Sequence, residues 1–246
     1  MIDVNRVIKW IQDYFEENGP NSKAVIGISG GKDSTIAAAL CVAALGPDRV
    51  IGVRMPQGTQ SDIQDAYDVC EQLGIASYEI NIGQACEMIY NQLDSNLIDS
   101  SSPMIQTNTP ARIRTNVLYA VAAAVGGRVC CTSNRSEAYV GYTTKWGDSV
   151  GDFAPLRSFT VSEVLELGYQ LCLPERLIYK SPADGMSGKT DEDNLGFSYF
   201  DVDNFIAERY TEITKDKIKK IMERHQGSAH KRDPIPCCPR EEKRSN

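Results

Sequence analysis

The chain has 246 residues, 41% of them hydrophobic, and a formal net charge of −7 at pH 7. This length and apolar content fit one large domain with a full core. The acidic total argues against nucleic-acid binding, which usually comes with a basic surplus. No two of the eight cysteines form a Cys-x-x-Cys pair, which argues against a zinc ribbon. Because the N-terminal turns are charged and no long apolar run occurs, we expect no membrane contact and predict a reduced, cytoplasmic protein.

Apolar runs alternate with helical patterns in the first half of the chain. The first predicted helix starts near Val4 and ends at Asn18-Gly19-Pro20. The predicted strands are residues 24–26, 50–55, 75–80 and 129–132. The helices between them are predicted at residues 35–45, 61–73, 83–97 and 111–125, with a Ser-rich connection at 99–109. This alternation predicts an α/β fold, a doubly wound parallel sheet with helices on both faces.

The second half of the chain is less regular. Residues 138–155 are rich in Gly and Tyr without a clear period, which predicts a long ordered loop. Thr160-x-x-Glu163 is a capping box that opens a helix to about Leu171. Residues 181–193 indicate a lid or mobile connection, and further helices are predicted at residues 201–208 and 214–225. We therefore expect a single domain over residues 1–246, with a C-terminal helical segment and tail at about 200–246.

The loop after the first strand is the most informative stretch for function. Its sequence is Gly27-Ile28-Ser29-Gly30-Gly31-Lys32-Asp33-Ser34. The helix predicted to follow would offer unpaired N–H groups and the positive end of its dipole, which favour a phosphate. Gly30 and Gly31 let an anion approach the backbone with no Cβ in the way, and Ser29 and Ser34 add hydroxyl donors. Asp33 beside a phosphate requires a cation between them, which predicts Mg²⁺.

Two common phosphate-binding loops do not fit this stretch. A Walker loop fails because Asp33 follows Gly31-Lys32 and because Ile26 stands where its first glycine belongs. A dinucleotide-binding loop fails because Ser29 and Lys32 occupy its second and third glycine positions. The remaining pattern, Ser-Gly-Gly-x-Asp-Ser, resembles the loop of the ATP pyrophosphatases, which split ATP between the α and β phosphates. That resemblance implies a Rossmann-like ATP pyrophosphatase fold.

A second polar segment, residues 132–137, follows the fourth predicted strand and includes Thr132 and Glu137. In parallel α/β sheets, ligands bind beyond the carboxyl ends of the strands. The phosphate loop and residues 132–137 both occupy such ends. We therefore expect them to line one crevice.

Downstream motifs narrow the choice of family. They occur in order as Ala111-Arg112, Thr132-x-x-x-x-Glu137, the run Gly-Tyr-Thr-Thr-Lys-Trp-Gly-Asp at 141–148, Asp152, Pro155-Leu156, Asp191-Glu192-x-x-Leu195-Gly196-x-x-Tyr199 and His230-Lys231-Arg232. Over roughly residues 20–235 this series resembles the ammonia-dependent NAD⁺ synthetases. The resemblance implies a ligase that adenylates the carboxylate of deamido-NAD⁺ with ATP and releases pyrophosphate. Ammonia then displaces AMP to give NAD⁺.

The resemblance also implies a role for individual residues. Those expected to bind ATP are Gly27, Ile28, Ser29, Gly30, Gly31, Lys32, Asp33, Ser34 and Thr132. Asp33 and Glu137 resemble the Mg²⁺ ligands and are the catalytic candidates. Those expected to contact deamido-NAD⁺ are Arg112, Lys145, Asp152, His230 and Lys231.

Partners follow from the same resemblance. Members of the family are homodimers, and the apolar faces of the helices at 83–97 and 111–125 make these our candidates for the interface. A chain of this size has no room for a glutamine amidohydrolase domain beside the α/β domain. The nitrogen source is therefore expected to be free ammonia, or ammonia delivered by another protein.

Two departures from the family pattern concern the ATP site. Many members have a Lys where this chain has Val161, and a Thr where it has Ala183. We hypothesise that Lys180 or Lys189 supplies the missing positive charge. Two other interpretations stay open at this point: a different ATP pyrophosphatase, such as a tRNA-modifying enzyme, and a nucleotide-binding module without catalysis.

Overall fold

The protein is described by a computed structural model that covers residues 2–60, 62–179 and 191–238. Three positions raised above, Lys180, Ala183 and Lys189, lie outside the described residues. So does most of the connection predicted at 181–193, whose last three residues open a short helix.

Four parallel strands form one sheet, in the order β3-β2-β1-β4. The strands are β1 (Lys23–Gly27), β2 (Val50–Arg54), β3 (Ala76–Glu79) and β4 (Gly127–Val129). Val25 in the centre lies opposite Ile51 on one side and Val129 on the other. The chain proceeds outward from β1 to β3 and then crosses back to place β4 beside β1. The predicted doubly wound parallel sheet is therefore confirmed, and its switch point lies between β1 and β4, where such sheets bind ligands.

Helices cover both faces of this sheet. The first five are α1 (Val4–Asn18), α2 (Lys32–Leu45), α3 (Ile63–Leu73), α4 (Gly83–Ser95) and α5 (Pro103–Val125). The remaining ones are α6 (Arg135–Val140), α7 (Val161–Gln170), α8 (Glu175–Ile178), α9 (Asp191–Leu195), α10 (Tyr199–Ile206) and α11 (Lys215–Gly227). Within the described ranges, no helix combines the length and apolarity that crossing a bilayer would need.

The strand side chains alternate between two apolar cores. Ala24 and Ile26 point into the core shared with α1, α2 and α7, whereas Val25 between them points into the core shared with α4 and α5. This is the two-residue period of a strand that is covered on both faces. Helix α2 is buried over almost its whole circumference, as in Ile36 and Leu40, because it lies between the sheet and other helices. That packing fixes the start of α2, and with it the phosphate loop.

A third apolar cluster holds the C-terminal helices against α6. Its buried members are Val140, Leu195, Phe197, Tyr199, Val202 and Ile221. The predicted capping box between Thr160 and Glu163 is present at the start of α7. Through these contacts, α6, α7 and α10 form a unit beside the carboxyl end of β4.

Helix α5 begins eight residues earlier than predicted, so most of the expected Ser-rich connection at 99–109 is helical. Pro103 suits the first turn, where the missing N–H costs nothing. Pro110, the residue before the predicted start at 111, lies buried inside the helix. A proline removes one backbone hydrogen bond, and packing of α5 against β1 and β4 outweighs this local preference.

Three further boundaries differ from the prediction. Helix α2 begins at Lys32, so Lys32 and Asp33 stand in its first turn instead of in the preceding loop. Strand β4 ends at Val129, which leaves Thr132 three residues beyond it. The loop predicted at 138–155 starts later, because α6 continues to Val140 and ends at Gly141 with a left-handed backbone.

Candidate active site

The phosphate loop owes its shape to one glycine in particular. Gly30 has a φ of +78°, and a Cβ there would lie 2.7 Å from Asp65 Cβ and 3.0 Å from the Ala66 nitrogen. Only glycine meets both demands without strain. Gly31 has an ordinary φ of −81° and caps α2, and a Cβ at this position would meet only Ser29 Oγ, at 3.3 Å. The tight turn therefore depends on Gly30.

Hydrogen bonds within the loop position its hydroxyl groups. The Gly31 N–H donates to Ser29 Oγ at 3.2 Å, and Ser34 Oγ donates to the Gly31 carbonyl at 3.0 Å. The two hydroxyl oxygens lie 3.1 Å apart. Ile28 differs from its neighbours, because its side chain is buried in the core and its N–H donates to the Val53 carbonyl. Its predicted role in ATP binding is therefore limited to its carbonyl and to anchoring the loop.

Asn134 joins the two predicted halves of the crevice. Its Nδ2 donates to Asp33 Oδ1 at 3.1 Å, across 101 residues of sequence. The same side chain caps α6, since Asn134 Oδ1 accepts from the Glu137 N–H at 2.9 Å. In return, Glu137 Oε2 accepts from the Asn134 N–H at 3.2 Å. One buried amide thus fixes the orientations of both catalytic candidates, Asp33 and Glu137.

A lysine and three carboxylates share what we name the acidic pocket: Lys32, Asp33, Glu137 and Asp191. Lys32 is 8% exposed, and its Nζ lies 2.8 Å from Asp33 Oδ2. Burial and the charge of Asp33 raise the pKa of Glu137 to about 8, against the opposing effect of the Lys32 ammonium. Burial disfavours the charged form of Lys32, but the surrounding carboxylates raise its pKa above the ordinary lysine value. The Lys32 ammonium and the carboxyl groups around it therefore influence one another's protonation.

The donor set of the acidic pocket fits Mg²⁺. Asp33 and Glu137 offer hard carboxylate oxygens at the end of the phosphate loop. Among the residues that the structure describes, no group of three or more His, Cys, Asp or Glu side chains could hold a metal ion by itself. Mg²⁺ is commonly held by one or two carboxylates together with substrate phosphates and water. The two carboxylates could therefore hold Mg²⁺ jointly with a bound nucleotide.

Sequence reasoning assigned no role to three residues that line this pocket: Asn134, Asp191 and Tyr199. Tyr199 is 4% exposed, and its hydroxyl lies 3.3 Å from Asp191 Oδ2. Its ring centroid is 5.8 Å from Lys32 Nζ, and burial, with the nearby negative charges, raises the pKa of its hydroxyl. The Asn-x-x-Glu spacing could have revealed Asn134 as a helix cap. Asp191 and Tyr199 belong to one of the motifs noted in the sequence, but their proximity to Lys32 depends on packing and cannot be read from that motif.

Four of the five residues predicted to contact deamido-NAD⁺ gather around the turn after α6. Arg112 Nε donates to the Lys145 carbonyl at 3.2 Å, and Lys145 Nζ donates to the His230 carbonyl. Lys231 Nζ donates to the carbonyls of Gly141 and Thr143, at 2.7 and 2.6 Å. The C-terminal residues 230–231 are therefore part of the folded structure, and Lys231 holds the turn in place.

Asp152 and Thr132 stand apart from that group. Asp152 Oδ2 accepts from the Val129 N–H at 2.7 Å, and its Oδ1 lies 3.3 Å from the Tyr119 hydroxyl. These bonds make Asp152 a partner of the β4 backbone. Thr132 is half-buried between the buried residues Cys131 and Ser133, on the path from β4 to α6. The structure thus places both near the carboxyl end of β4.

Comparisons with known proteins identify the family. The family model for NAD synthase matches residues 3–235. An NH(3)-dependent NAD(+) synthetase of Pyrococcus horikoshii is 38% identical over 245 residues, which span 94% of this chain and 93% of that protein.

Solved structures show the same likeness. An NMN synthetase from Francisella tularensis superposes with a TM-score of 0.86 at 31% identity, covering 97% of this chain and 99% of that one. An NH3-dependent NAD synthetase from Campylobacter jejuni gives a TM-score of 0.78 at 26% identity, covering 97% and 100%. The matching family model and the similarity to the relative from Pyrococcus horikoshii show that the chain belongs to the NAD synthase family.

Proposed function

We propose that this protein is an ammonia-dependent NAD⁺ synthetase, a carbon–nitrogen ligase. ATP adenylates the nicotinate carboxylate of deamido-NAD⁺ and pyrophosphate leaves. Ammonia attacks the acyl adenylate, AMP leaves, and the product is NAD⁺. The observation that carries this proposal is the hydrogen bond from Asn134 to Asp33, because it joins the phosphate loop to the helix that bears Glu137.

In this proposal the loop from Gly27 to Ser34, together with Thr132, binds ATP. The hydroxyls of Ser29 and Ser34, and the N–H groups of the first turn of α2, face the phosphates. Such preorganised donors stabilise the charge that develops on the leaving pyrophosphate. Mg²⁺ held by Asp33 and Glu137 would neutralise phosphate charge when bound. No enzyme nucleophile is needed, because the carboxylate and then ammonia are the attacking groups.

Deamido-NAD⁺ is proposed to bind beside the turn after α6, through Arg112, Lys145, Asp152, His230 and Lys231. The ammonium groups of Lys145 and Lys231 already bond to carbonyl oxygens. Arg112 and His230 are exposed, so they are the better placed of the five to contact a phosphate or ribose. Lys231 then acts mainly by holding the turn that carries the others.

The direct test is a product assay with deamido-NAD⁺, MgATP and ammonium. We expect NAD⁺ and AMP to form in equal amounts and Asp33→Ala to abolish both. Asp48→Ala, an exposed aspartate on the turn before β2, serves as the matched control and should keep full activity. Well-folded protein that releases neither product would contradict the proposal. RNA and other carboxylic acids would then be the substrates to try.

A second candidate substrate is the mononucleotide counterpart, nicotinate mononucleotide. The solved NMN synthetase of Francisella tularensis has a TM-score of 0.86 to this chain, against 0.78 for the NAD synthetase of Campylobacter jejuni. Both substrates present the same pyridine carboxylate to ATP. Measuring kcat/KM for each acid separates the two, and a preference for the mononucleotide would replace the dinucleotide in the proposal without changing the ligase chemistry.

We also propose a homodimer that works in the cytoplasm. Helix α4 leaves Met88 70% exposed and Ile89 41% exposed, beside an almost wholly apolar groove that Leu93 and Ile98 also line. A second copy of the chain is the proposed occupant of this surface. The five buried cysteines are free of disulfides, which supports a reducing compartment.

A further inference from the structure

The ammonium group of Lys32 bonds to a carboxylate oxygen of Asp33 that a metal ion would also use. Its Nζ lies 2.8 Å from Asp33 Oδ2, and the other oxygen of the same carboxylate accepts from Asn134. Both oxygens of Asp33 are thus engaged by groups of the protein. The Ser-Gly-Gly-x-Asp-Ser pattern leaves position 32 open, so the lysine is a feature of this chain that the loop itself does not require.

The surroundings of Lys32 suit a cation. The side chain is buried, and its Nζ lies 5.8 Å from the centroid of the Tyr199 ring, within the range of a cation–π contact. Glu137 and Asp191 place two further carboxyl groups close to the ammonium. Without a positive charge at this point, three carboxylates in one partly buried pocket would repel one another.

We propose that Lys32 is an exchangeable internal counter-ion: it holds Asp33 while no divalent cation is bound and gives up the Oδ2 atom when one binds. The inference rests on the proposed role of Asp33 as a metal ligand. The displaced ammonium remains at the phosphate loop, where it pairs with the phosphates that arrive with the metal. Lys32 therefore lowers the affinity of the nucleotide-free protein for metal and couples metal binding to nucleotide binding.

Metal binding to the nucleotide-free protein tests this inference without relying on turnover. Mn²⁺, a spectroscopic substitute for Mg²⁺, is titrated by calorimetry and by electron paramagnetic resonance into wild type, Lys32→Met and Lys32→Arg. Asp33→Asn removes the shared oxygen and is the negative control. We expect Lys32→Met to bind Mn²⁺ about tenfold more tightly than wild type, because the metal no longer has to break one charge-assisted hydrogen bond. Lys32→Arg keeps the charge and should resemble wild type.

Thermal unfolding supplies the second measurement. Lys32→Met should unfold at a lower temperature than wild type without metal, and saturating Mn²⁺ should raise its melting temperature by more than that of wild type. A variant that folds only when Mn²⁺ is added would also support the proposal. A variant that stays unfolded with Mn²⁺ would overturn it, because Lys32 would then be a permanent structural cation.

Unchanged or weaker Mn²⁺ binding by folded Lys32→Met would likewise overturn the exchange. If neither protein binds Mn²⁺ without nucleotide, yet wild type makes NAD⁺ with MgATP, the counter-ion role fails and the proposed function stands. If wild type neither binds the metal nor turns over, the proposed metal site itself fails.

Discussion

At Gly30 in the phosphate loop, both the backbone conformation and the close packing against α3 require glycine. We expect Gly30→Ala to lower the free energy of unfolding by about 1–3 kcal/mol, because alanine must adopt a φ of +78° and push against Asp65. Urea unfolding measures the loss of stability. The KM for ATP measures the displacement of the loop and should rise.

Gly46→Ala is the matched control for that substitution. Gly46 has a φ of +81°, and a Cβ there would meet nothing within 4 Å. It therefore carries the backbone strain without the collision, at the far end of α2. Gly46→Ala should lose less stability than Gly30→Ala and keep the KM for ATP. Equal losses in both variants would mean that contact with α3 does not matter.

Asp201 links stability to pH at a single ion pair. Burial works against the ionised carboxylate, but donors from Lys217 and Ser198 lower its pKa below the ordinary aspartate value. The stabilisation is thus present above about pH 4, the usual aspartate pKa, and is lost as pH falls through the lower folded pKa. Lys217→Met should reduce the free energy of unfolding at pH 7 by at most about 1 kcal/mol, since Lys217 is 39% exposed.

The same variant should flatten the pH dependence of stability below pH 4, which urea unfolding at pH 3 and pH 7 measures. Lys219→Met is the control on the same helix, because Lys219 and Glu223 form an exposed pair at 3.9 Å. It should change stability at neither pH. An identical acid response in Lys217→Met and wild type would assign the acid sensitivity to other carboxylates.

At the scale of elements, Asp203 on α10 connects α6 with α7. Its Oδ1 accepts from Ser136 Oγ at 2.5 Å, and its Oδ2 accepts from the Ser162 N–H and hydroxyl at 2.8 and 2.6 Å. Ser136 immediately precedes Glu137. We expect Asp203→Asn to lower stability by about 1.5–3 kcal/mol, because hydrogen bonds to a buried charge are lost, and to lower kcat through a displaced Glu137.

Ser162→Ala separates these two effects of Asp203→Asn. It removes the hydroxyl on the α7 side and leaves the bond between Asp203 and Ser136. Its stability should fall by less, and its kcat should match wild type. Urea unfolding and steady-state kinetics on both variants check this. A loss of stability in Asp203→Asn with unchanged kcat would make Asp203 a purely structural residue.

The sequence predicted the sheet and its helices because their signals are local: apolar runs of strand length, helical periods and capping boxes. The predicted boundaries of helices and strands were wrong where tertiary packing outweighed a local preference. Pro110 marks a helix start in isolation, yet α5 continues through it against the sheet. Strand β4 lies earlier than predicted, because Gly127 is the residue that approaches Lys23 and Val25, whereas the apolar run itself begins at Val129.

Whether a site residue can be recognised from the sequence depends on how close in sequence its neighbours in the site are. The phosphate loop is contiguous, so its eight residues were recognisable together, and the expected crevice is formed in the structure. The contacts of Asp191 and Tyr199 with Lys32 arise from elements far apart in sequence. Asp152, predicted as a substrate contact, bonds to the β4 backbone instead of projecting freely, which no sequence pattern indicated.

At the scale of the whole molecule, the topology explains why the crevice lies where it does. Strand β4 pairs with β1 although β2, β3 and the helices α2 to α5 lie between them in the chain. Asp33 and Glu137 follow these two neighbouring strands and meet beyond their carboxyl ends. The apolar groove on α4 lies on the face opposite α1 and α2.

We predict that this groove is the interface of a homodimer, whose mass is twice the 27.1 kDa of one chain. Met88→Glu places a charge in the proposed interface, where burying it unpaired is costly. We expect wild type to sediment as a dimer and Met88→Glu as a monomer in analytical ultracentrifugation. Met222→Glu is the control, because Met222 is also exposed, at 45%, but lies on α11, and it should remain dimeric.

Activity measurements test whether the dimer contributes to the deamido-NAD⁺ site. If the second copy shapes the deamido-NAD⁺ site, Met88→Glu should lose turnover, and the specific activity of wild type should fall when it is diluted below its dissociation constant. Urea unfolding would show that the variant is still folded. A wild-type protein that sediments as a monomer with full activity would remove the dimer from the proposal. Because the acidic pocket is built from one chain, the adenylation chemistry would survive that result.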